Sequence, residues 1–352
     1  MQLTECDYEL PTELIAQCPA RVRDRARLLV LDRARKSLLH TRVRDLPQLL
    51  TAEDILVLND TRVFPARLVG RRKPSGGRVE ILLVRRDGTR CWWALVKPSH
   101  RLAVGAEVVF DDTDWRGIVG ERDGSGMRRV EFQGSGNIRT WLSRRGRVPL
   151  PPYIRRPDAG EAQQEAAGGH DRRRYQTVYA RHPGSVAAPT AGLHFTRPLL
   201  RRLQQAGVAI YPITLHVGPG TFRPLRTQVV ETHPMDAERY RIAPEVAAAI
   251  AAERAAGKRV LAVGTTTTRA LESAADADGR IVRQQGETTL FMHPGYRFKL
   301  VDGLLTNFHL PRSTPLVLAM ALAGREPILA AYREAIAQRY RFYSYGDAML
   351  IV

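Results

Sequence analysis

Between about Arg67 and Arg129 short β-branched or aromatic runs (RVEILLV, CWWALV, AEVVF, RRVEF) alternate with the polar turn signals SGG, RDGT, AVGA and ERDGSG. Strands so short and so evenly spaced predict a small antiparallel barrel. After Thr196 the pattern changes. PLLRRLQQAG predicts a helix ended by Gly207, VAIYPITLHV a strand, PEVAAAIAAERAAG a helix ended by Gly257, and RVLAVG a strand, the alternation of an α/β unit. The N-terminal runs LLVL and ILVLND, separated by RDLPQLL, share this second texture. The expected fold is therefore an α/β (α+β) main domain, discontinuous in sequence (residues 1–66 and 150–352), with an inserted small antiparallel β-barrel domain (residues 67–149). The polar, Gly- and Ala-rich stretch from Asp158 to Arg174 is expected to be a mobile connection. No internal repeat is evident.

A length of 352 residues suits about two domains, and 44% hydrophobic content suffices for a sizeable core. No run approaches the roughly 18 apolar residues of a membrane helix, and MQLTECDYELP lacks the layout of a signal peptide, so a cytoplasmic protein is expected. Cys6, Cys18 and Cys91 are odd in number and share no C-x-x-C spacing, which fits a reducing compartment. The net charge of +18 attracts polyanions and makes nucleic acid the first partner to consider. Most of that charge is arginine, a bias that the codon usage of a GC-rich genome also produces, so clusters inform more than the total. Arg144, Arg145, Arg147, Arg155 and Arg156 bracket VPLPPYI, with the ring of Tyr153 among them and Arg172, Arg173 and Arg174 close behind. Such a segment suits RNA and equally a solvated loop.

Three histidines sit in similar company: His194 in APTAGLHFT, His216 in ITLHVGPGTF and His309 in LTNFHLPRSTP. Each follows small residues, prolines or hydroxyls at the end of an apolar run, where loops present groups to a ligand. Singly each suits a structural role; together they suggest proton transfer near neutral pH. A three-histidine zinc site is the competing idea, but no H-E-x-x-H helix or His-x-His pair supports it. VLAVGTTTTRALES, from Val260 to Ser273, reads as strand, tight loop and helix. Its hydroxyls at a helix N-terminus suit an anion or carboxylate, and also ordinary capping. It is neither G-x-G-x-x-G nor a Walker A loop. HVGPGTFRP can form a rigid loop of backbone donors or a plain turn. LNDTRVFPARL presents Asn59, Asp60, Thr61 and Arg62 at a strand end, able to bind polar groups or cap a turn. YRFYSYGDAMLI groups Tyr340, Phe342, Tyr343 and Tyr345 with Asp347, a set that can stack on a base or form a buried C-terminal strand.

NDTRVFPARL, GRVPLPPYI, RYQTVYARHPGSVAAPTAGLHFT, TLHVGPGTF, VLAVGTTTTRALES, TNFHLPRSTP and YRFYSYGDAMLI, in this order, resemble the S-adenosylmethionine:tRNA ribosyltransferase-isomerase family, and the likeness runs from YELPTELIAQ to the last residues. The resemblance implies ribosyl transfer from S-adenosylmethionine to an aminomethyl-deazaguanine at the tRNA wobble position, giving an epoxycyclopentane product with adenine and methionine released. Its partners would be tRNA and S-adenosylmethionine, the latter a consumed co-substrate. No metal or redox cofactor and no membrane would be involved, and the chain would act as a monomer. On that basis His194, His216 and His309 are acid/base candidates, with Asp60 a fourth. Asn59, Arg62, Gly218, Gly220, Thr221, Phe222, Thr265, Thr266, Arg269 and Asn307 would line the substrate pocket, and Tyr343, Tyr345 and Asp347 would contact the target base. Arg144, Arg145, Arg147, Tyr153, Arg155 and Arg156 would hold RNA. One departure is Asp236 in HPMDAERY, where the family pattern often has a second histidine; His233 and Glu238 stay usable there. An S-adenosylmethionine nucleosidase-like hydrolase and a non-catalytic tRNA-binding protein are the alternatives.

Overall fold

The strand Asp54–Asn59 is buried along its whole length, as a run without polar alternation requires when both faces of a sheet are covered. In the computed structural model, which describes residues 1–156 and 169–352, it is the fourth strand of a nine-stranded sheet. Across the sheet the strands run Gln285–Thr288, Glu238–Arg241, Ala209–Leu215, Asp54–Asn59, Arg259–Val263, Gly303–Asn307, Ala348–Ile351, Arg27–Asp32 and Ser37–Arg42. The four strands from Ala209–Leu215 to Gly303–Asn307 are mutually parallel, and antiparallel pairings flank them on both sides.

Side chains alternate between two cores, as the pleat dictates. Ile55, Val57, Val260 and Ala262 join the core made with helices Pro244–Ala255, Thr265–Ala274, Thr314–Ala323 and Arg325–Ala337. Leu56, Leu58, Leu261 and Val263 join the opposite core, which Leu199 and Leu203 of helix Arg197–Gln205 close. No single helix among the described residues is long and apolar enough to cross a membrane.

Six antiparallel strands, Arg67–Arg72, Arg78–Arg86, Cys91–Lys97, Glu107–Val109, Arg116–Arg122 and Arg128–Gln133, close into the barrel. Val79, Ile81, Leu83, Trp92, Val119, Val130 and Phe132 fill it together with Ile138, Trp141 and Leu142 of helix Ile138–Arg145. Trp115 and Trp141 stack with ring centroids 5.0 Å apart. The α/β main sheet with an all-β insert is the fold class that the two textures predict.

Two details depart from expectation. Residues 169–174 are helical and anchored: buried Asp171 takes a two-pronged pair from Arg156 at 2.9 and 2.8 Å, and Arg172 donates to Ser143 O at 2.9 Å. Buried charge and backbone acceptors tie down what composition alone marks as mobile; the part of that stretch in residues 157–168 lies outside the described residues. The C-terminal strand is Ala348–Ile351 only, so the aromatic residues before it lie in the loop that leads into an interior strand.

The barrel is seated through Gly146. Its N–H donates to Leu142 O, and Arg67 and Arg147 exchange backbone hydrogen bonds beside it at 3.1 and 2.8 Å. Its φ of −67° suits any residue, but a Cβ there would run into the carbonyl oxygens of Pro65 and Leu142. Gly146→Ala is therefore expected to destabilise the protein by about 1–3 kcal/mol, the cost of forcing an extra methyl into a packed site, read as a lower midpoint in urea unfolding; an unchanged midpoint would show that this seat gives way freely.

Candidate active site

The connection from Asp54–Asn59 to Ala209–Leu215 passes through helix Arg197–Gln205 on one face of the sheet. The connection from Arg259–Val263 to Gly303–Asn307 passes through Thr265–Ala274 on the other. Loops at the carboxyl ends of these strands diverge and leave a crevice, the usual ligand site of such sheets. Two cavities of about 520 Å³ and about 70 Å³ occupy it. Thr221, Thr265, Thr266 and Pro315 line both.

Gly264, at φ +90°, turns the chain from strand into helix with a backbone that residues bearing a Cβ rarely adopt. Helix Thr265–Ala274 has no side-chain cap, and the first N–H groups of a helix have no partner within it. The positive end of the helix thus opens where the cavities meet. Asn59 stitches the neighbouring strand ends. Its amide donates to Leu215 O at 2.9 Å and accepts from the N–H of Leu215 and Thr61 at 3.0 and 3.1 Å. It is a fastener for the crevice and lines neither cavity.

Glu238 and Arg269 form a buried ion pair on the wall of the larger cavity. Arg269 also donates to Leu290 O and Thr288 O, each at 3.1 Å. Glu238 accepts from Gly218 N–H at 3.0 Å and Thr221 Oγ1 at 3.3 Å. Burial pushes the Glu238 carboxyl up, against the opposing pull of Arg269. Gly220 packs so closely on Asp236 that a Cβ would meet its carboxylate. Asp236 is exposed, pairs with Arg223 at 3.3 Å and lines the larger cavity beside His233.

The three histidines separate in space. His309 lines the smaller cavity, its Nε2 lying 2.7 Å from Thr306 Oγ1, and burial pushes its pKa down to about 3. His194 lies behind that cavity. Asn307, which does line it, donates from Nδ2 to His194 Nε2 and to Tyr343 O, both at 3.1 Å, and burial pushes His194 down to about 4. His216 lines neither cavity. Its Nδ1 is 2.8 Å from Thr61 Oγ1, its ring covers Gly184, and burial, then the neighbouring His182, lowers its pKa. Asp60 belongs to that second group: Thr214 Oγ1 donates to it at 2.7 Å and His182 Nε2 lies 3.6 Å away. Among the described residues no group of three or more His, Cys, Asp or Glu side chains is placed to hold a metal ion.

The remaining candidates divide between cavity, scaffold and surface. Tyr343 lines the smaller cavity at φ +71°, a conformation that costs an ordinary residue energy and persists only where its surroundings enforce it. Tyr153, expected on an RNA surface, lines the same cavity with its ring centroid 4.6 Å from that of Tyr343. Tyr345 is buried and edge-on to Tyr175. Asp347 accepts from the N–H groups of Arg27 and Arg341 at 3.0 and 2.9 Å, which ties the chain together away from both cavities. Arg62 is exposed and lines neither, and the side chain of Phe222 lies outside the described residues. Arg144, Arg147 and Arg155 are exposed. Arg145 donates to Asp112 O at 3.3 Å, and Arg156 is held by Asp171.

The family described as queuosine biosynthesis protein matches this chain over residues 3–351. The chain belongs to that family. It is similar to S-adenosylmethionine:tRNA ribosyltransferase-isomerases from Pelotomaculum thermopropionicum, 51% identical over 352 residues, and Symbiobacterium thermophilum, 51% identical over 353 residues, each covering 100% of both chains. A crystal structure of S-adenosylmethionine tRNA ribosyltransferase from Thermotoga maritima resembles it with a TM-score of 0.54 and 36% identity, covering 99% of this chain and 100% of that one. Family membership makes the protein a transferase of queuosine biosynthesis. Gln17, Thr306, Ser344 and Asp171 escaped the reading of the sequence. Each acts through hydrogen bonds to residues distant along the chain or buried beside it, and no local pattern announces that.

Burial of the two low-pKa histidines has a consequence for stability. The unfolded chain takes up a proton on each imidazole near pH 6.5, whereas folded His194 stays neutral down to about 4. The unfolded state therefore binds more protons in that window, so this contribution is full above about pH 6.5 and is lost as pH falls toward 4, on the order of 3 kcal/mol for His194. The stability difference between wild type and His194→Gln should shrink between pH 7 and pH 4.5 in urea titrations; a constant difference would mean that His194 does not titrate this way.

Proposed function

We propose that this enzyme transfers and isomerises the ribosyl group of S-adenosylmethionine onto 7-aminomethyl-7-deazaguanine at the tRNA wobble position, releasing adenine and methionine and leaving epoxyqueuosine in the RNA. The observation that supports this reading best is the pair of cavities sharing Thr221, Thr265, Thr266 and Pro315. Two bulky reactants must meet with their reacting atoms in contact, and a common wall supplies that alignment. In this reading the larger cavity holds S-adenosylmethionine. Its methionine carboxylate sits at the N-terminus of helix Thr265–Ala274, where amide donors and the helix dipole favour negative charge.

The sulfonium acidifies the ribose C5′ protons, so a base can form an ylide that leads to loss of adenine. His309 is the acid/base candidate at the cavity. Burial holds it neutral, the form that can accept a proton. His194 supports Asn307 from behind, while His216 and Asp60 act on the loop geometry beside the crevice. S-adenosylmethionine is consumed as a co-substrate, and because its sulfonium provides the activation the reaction calls on neither a metal nor a redox cofactor. The enzyme works as a monomer in the cytoplasm in this account.

Incubation with S-adenosylmethionine and tRNA bearing the aminomethyl-deazaguanine, followed by mass spectrometry of the nucleosides, is expected to give equal amounts of adenine, methionine and the epoxycyclopentane adduct. His309→Ala should slow adduct formation by about 10²–10⁴-fold, the usual share of a general acid or base. Adenine without a modified nucleoside would identify a hydrolase; no product would leave an RNA-binding protein.

The exposed Arg144, Arg147 and Arg155 have no carboxylate partner among the described residues, which suits them to RNA phosphates. Removing any one should weaken tRNA binding and flatten the dependence of log K on log salt by about one counterion. Salt titrations with slopes unchanged in all three variants would place the RNA elsewhere.

A further inference from the structure

Strand Gly303–Asn307 ends in a side chain whose two polar atoms have different fates. Asn307 is only 2% exposed. Its Nδ2 donates to His194 Nε2 and to Tyr343 O, both at 3.1 Å, whereas its Oδ1 is buried with no partner among the described residues. The amide cannot turn over to exchange these roles. A carbonyl oxygen only accepts, and Tyr343 O already takes a hydrogen bond from Gly346 N–H at 2.8 Å, so Oδ1 in the place of Nδ2 would set acceptor against acceptor. His194 enforces the same choice. Burial pushes its pKa down to about 4, so it is neutral near pH 7, and with its proton on Nδ1 its Nε2 is an acceptor. Asn307 lines the smaller cavity and His194 lies behind it. The nitrogen end is therefore committed within the protein, and the oxygen end is what remains for a ligand.

We propose that Asn307 Oδ1 accepts a hydrogen bond from a ribose hydroxyl of S-adenosylmethionine, and that His194 is the positioning residue that fixes the amide in its accepting orientation. The proposal rests on the functional reading above and deepens it by assigning the contact to the sugar. A buried acceptor without a partner is costly, and a donor brought by the ligand removes that cost. The donor has to be uncharged. No carboxylate lines the smaller cavity among the described residues, and the desolvation that pushes His309 and His194 down to about 3 and about 4 acts equally against an ammonium group. The donor also has to be slight, because about 70 Å³ takes the hydroxyl-bearing edge of a sugar and not a fused ring system. Ribose meets both conditions. Thr221, Thr265, Thr266 and Pro315 line both cavities, so a co-substrate lying in the larger one can turn that edge into the smaller one. His309 lines the smaller cavity too, which brings the sugar carbon to be deprotonated and the sugar hydroxyls to the same wall.

The test is calorimetric binding of S-adenosylmethionine and of its 2′-deoxy and 3′-deoxy analogues to the full-length enzyme, in the presence of tRNA with guanine at the wobble position so that nothing turns over. Binding is read in place of rate because removing a ribose hydroxyl also changes how readily adenine leaves. In the wild type one of the two analogues should bind roughly 10- to 100-fold more weakly than S-adenosylmethionine, the loss of one buried hydrogen bond. In Asn307→Ala, S-adenosylmethionine itself should weaken by a similar factor, and the same analogue should then differ from it by no more than about twofold, the signature of a direct pair in a double-mutant cycle. His194→Leu should lose most of the discrimination, and His194→Gln, which keeps an acceptor, should restore it. Both analogues within about threefold of S-adenosylmethionine in the wild type, or a penalty undiminished in Asn307→Ala, overturns the contact. The wild-type arm decides even where a variant fails to fold. Discrimination undiminished in His194→Leu overturns the role of His194. If the wild type bound S-adenosylmethionine but modified no tRNA, the functional reading would fall while the analogues still judged the contact; no binding at all would overturn both.

Discussion

A carboxylate and a guanidinium taken out of water together hold this crevice open. Glu238 lies on the strand Glu238–Arg241 and Arg269 in the helix whose N-terminus forms the shared wall. Through the remaining bonds of the two groups the loop at Gly218–Thr221 and the carbonyls of Thr288 and Leu290 are fixed as well. Such a pair adds little stability compared with a well-packed apolar core, because desolvation cancels most of the attraction, but losing either partner strands a buried charge. That asymmetry gives the wall one arrangement. The upward shift of the Glu238 carboxyl shows the desolvation at work even with Arg269 in contact.

Around this pair most polar groups near the crevice are already committed to one another. Asn59 uses its amide on strand ends, Asp347 its carboxylate on backbone N–H groups, and Asp60 its carboxylate on Thr214. Among the groups still open to a ligand are the first amides of helix Thr265–Ala274 and Asn307 Oδ1, which is buried and has no partner among the described residues. A buried acceptor left unpaired is costly and calls for a functional reason, and Asn307 sits at the wall of the smaller cavity. Burial also decides the state of the histidines. Desolvation pushes the pKa values of His309 and His194 down to about 3 and about 4 and keeps both imidazoles neutral; in the proposed chemistry the positive charge is that of the substrate's sulfonium.

The net charge of +18 divides into arginines that build the protein and arginines that face outward. Arg156 and Arg269 are spent on buried carboxylates, and Arg174 donates to the carbonyl of Arg21. Arg144, Arg147 and Arg155 stay exposed around the junction of barrel and sheet. A cluster read along the chain mixes the two kinds, because a guanidinium satisfied by a carbonyl or carboxylate from a distant segment looks the same in sequence as one that awaits a phosphate.

The switch from short alternating strands to apolar runs with capped helices was enough to separate barrel from sheet, since period and turn chemistry are local properties of the chain. The helix start at Gly264–Thr265, the loop at Gly218–Thr221 and the aromatic group before Gly346 were legible for the same reason. Which of these meet was not. His194, His216 and His309 share one kind of sequence context yet occupy three environments, because strand order puts the ends of Ala209–Leu215 and Gly303–Asn307 on opposite sides of Asp54–Asn59 and Arg259–Val263. Tyr153 moved from an expected surface into the crevice because Gln17 and Ser344, 136 and 191 residues away, hold it there. The sequence by itself determined the elements, the two textures and the chemistry carried by each motif, all set by neighbours along the chain. The tertiary structure decided which side chains are buried, which are paired and which face the cavities, because desolvation and hydrogen bonding act between segments that only the sheet brings together.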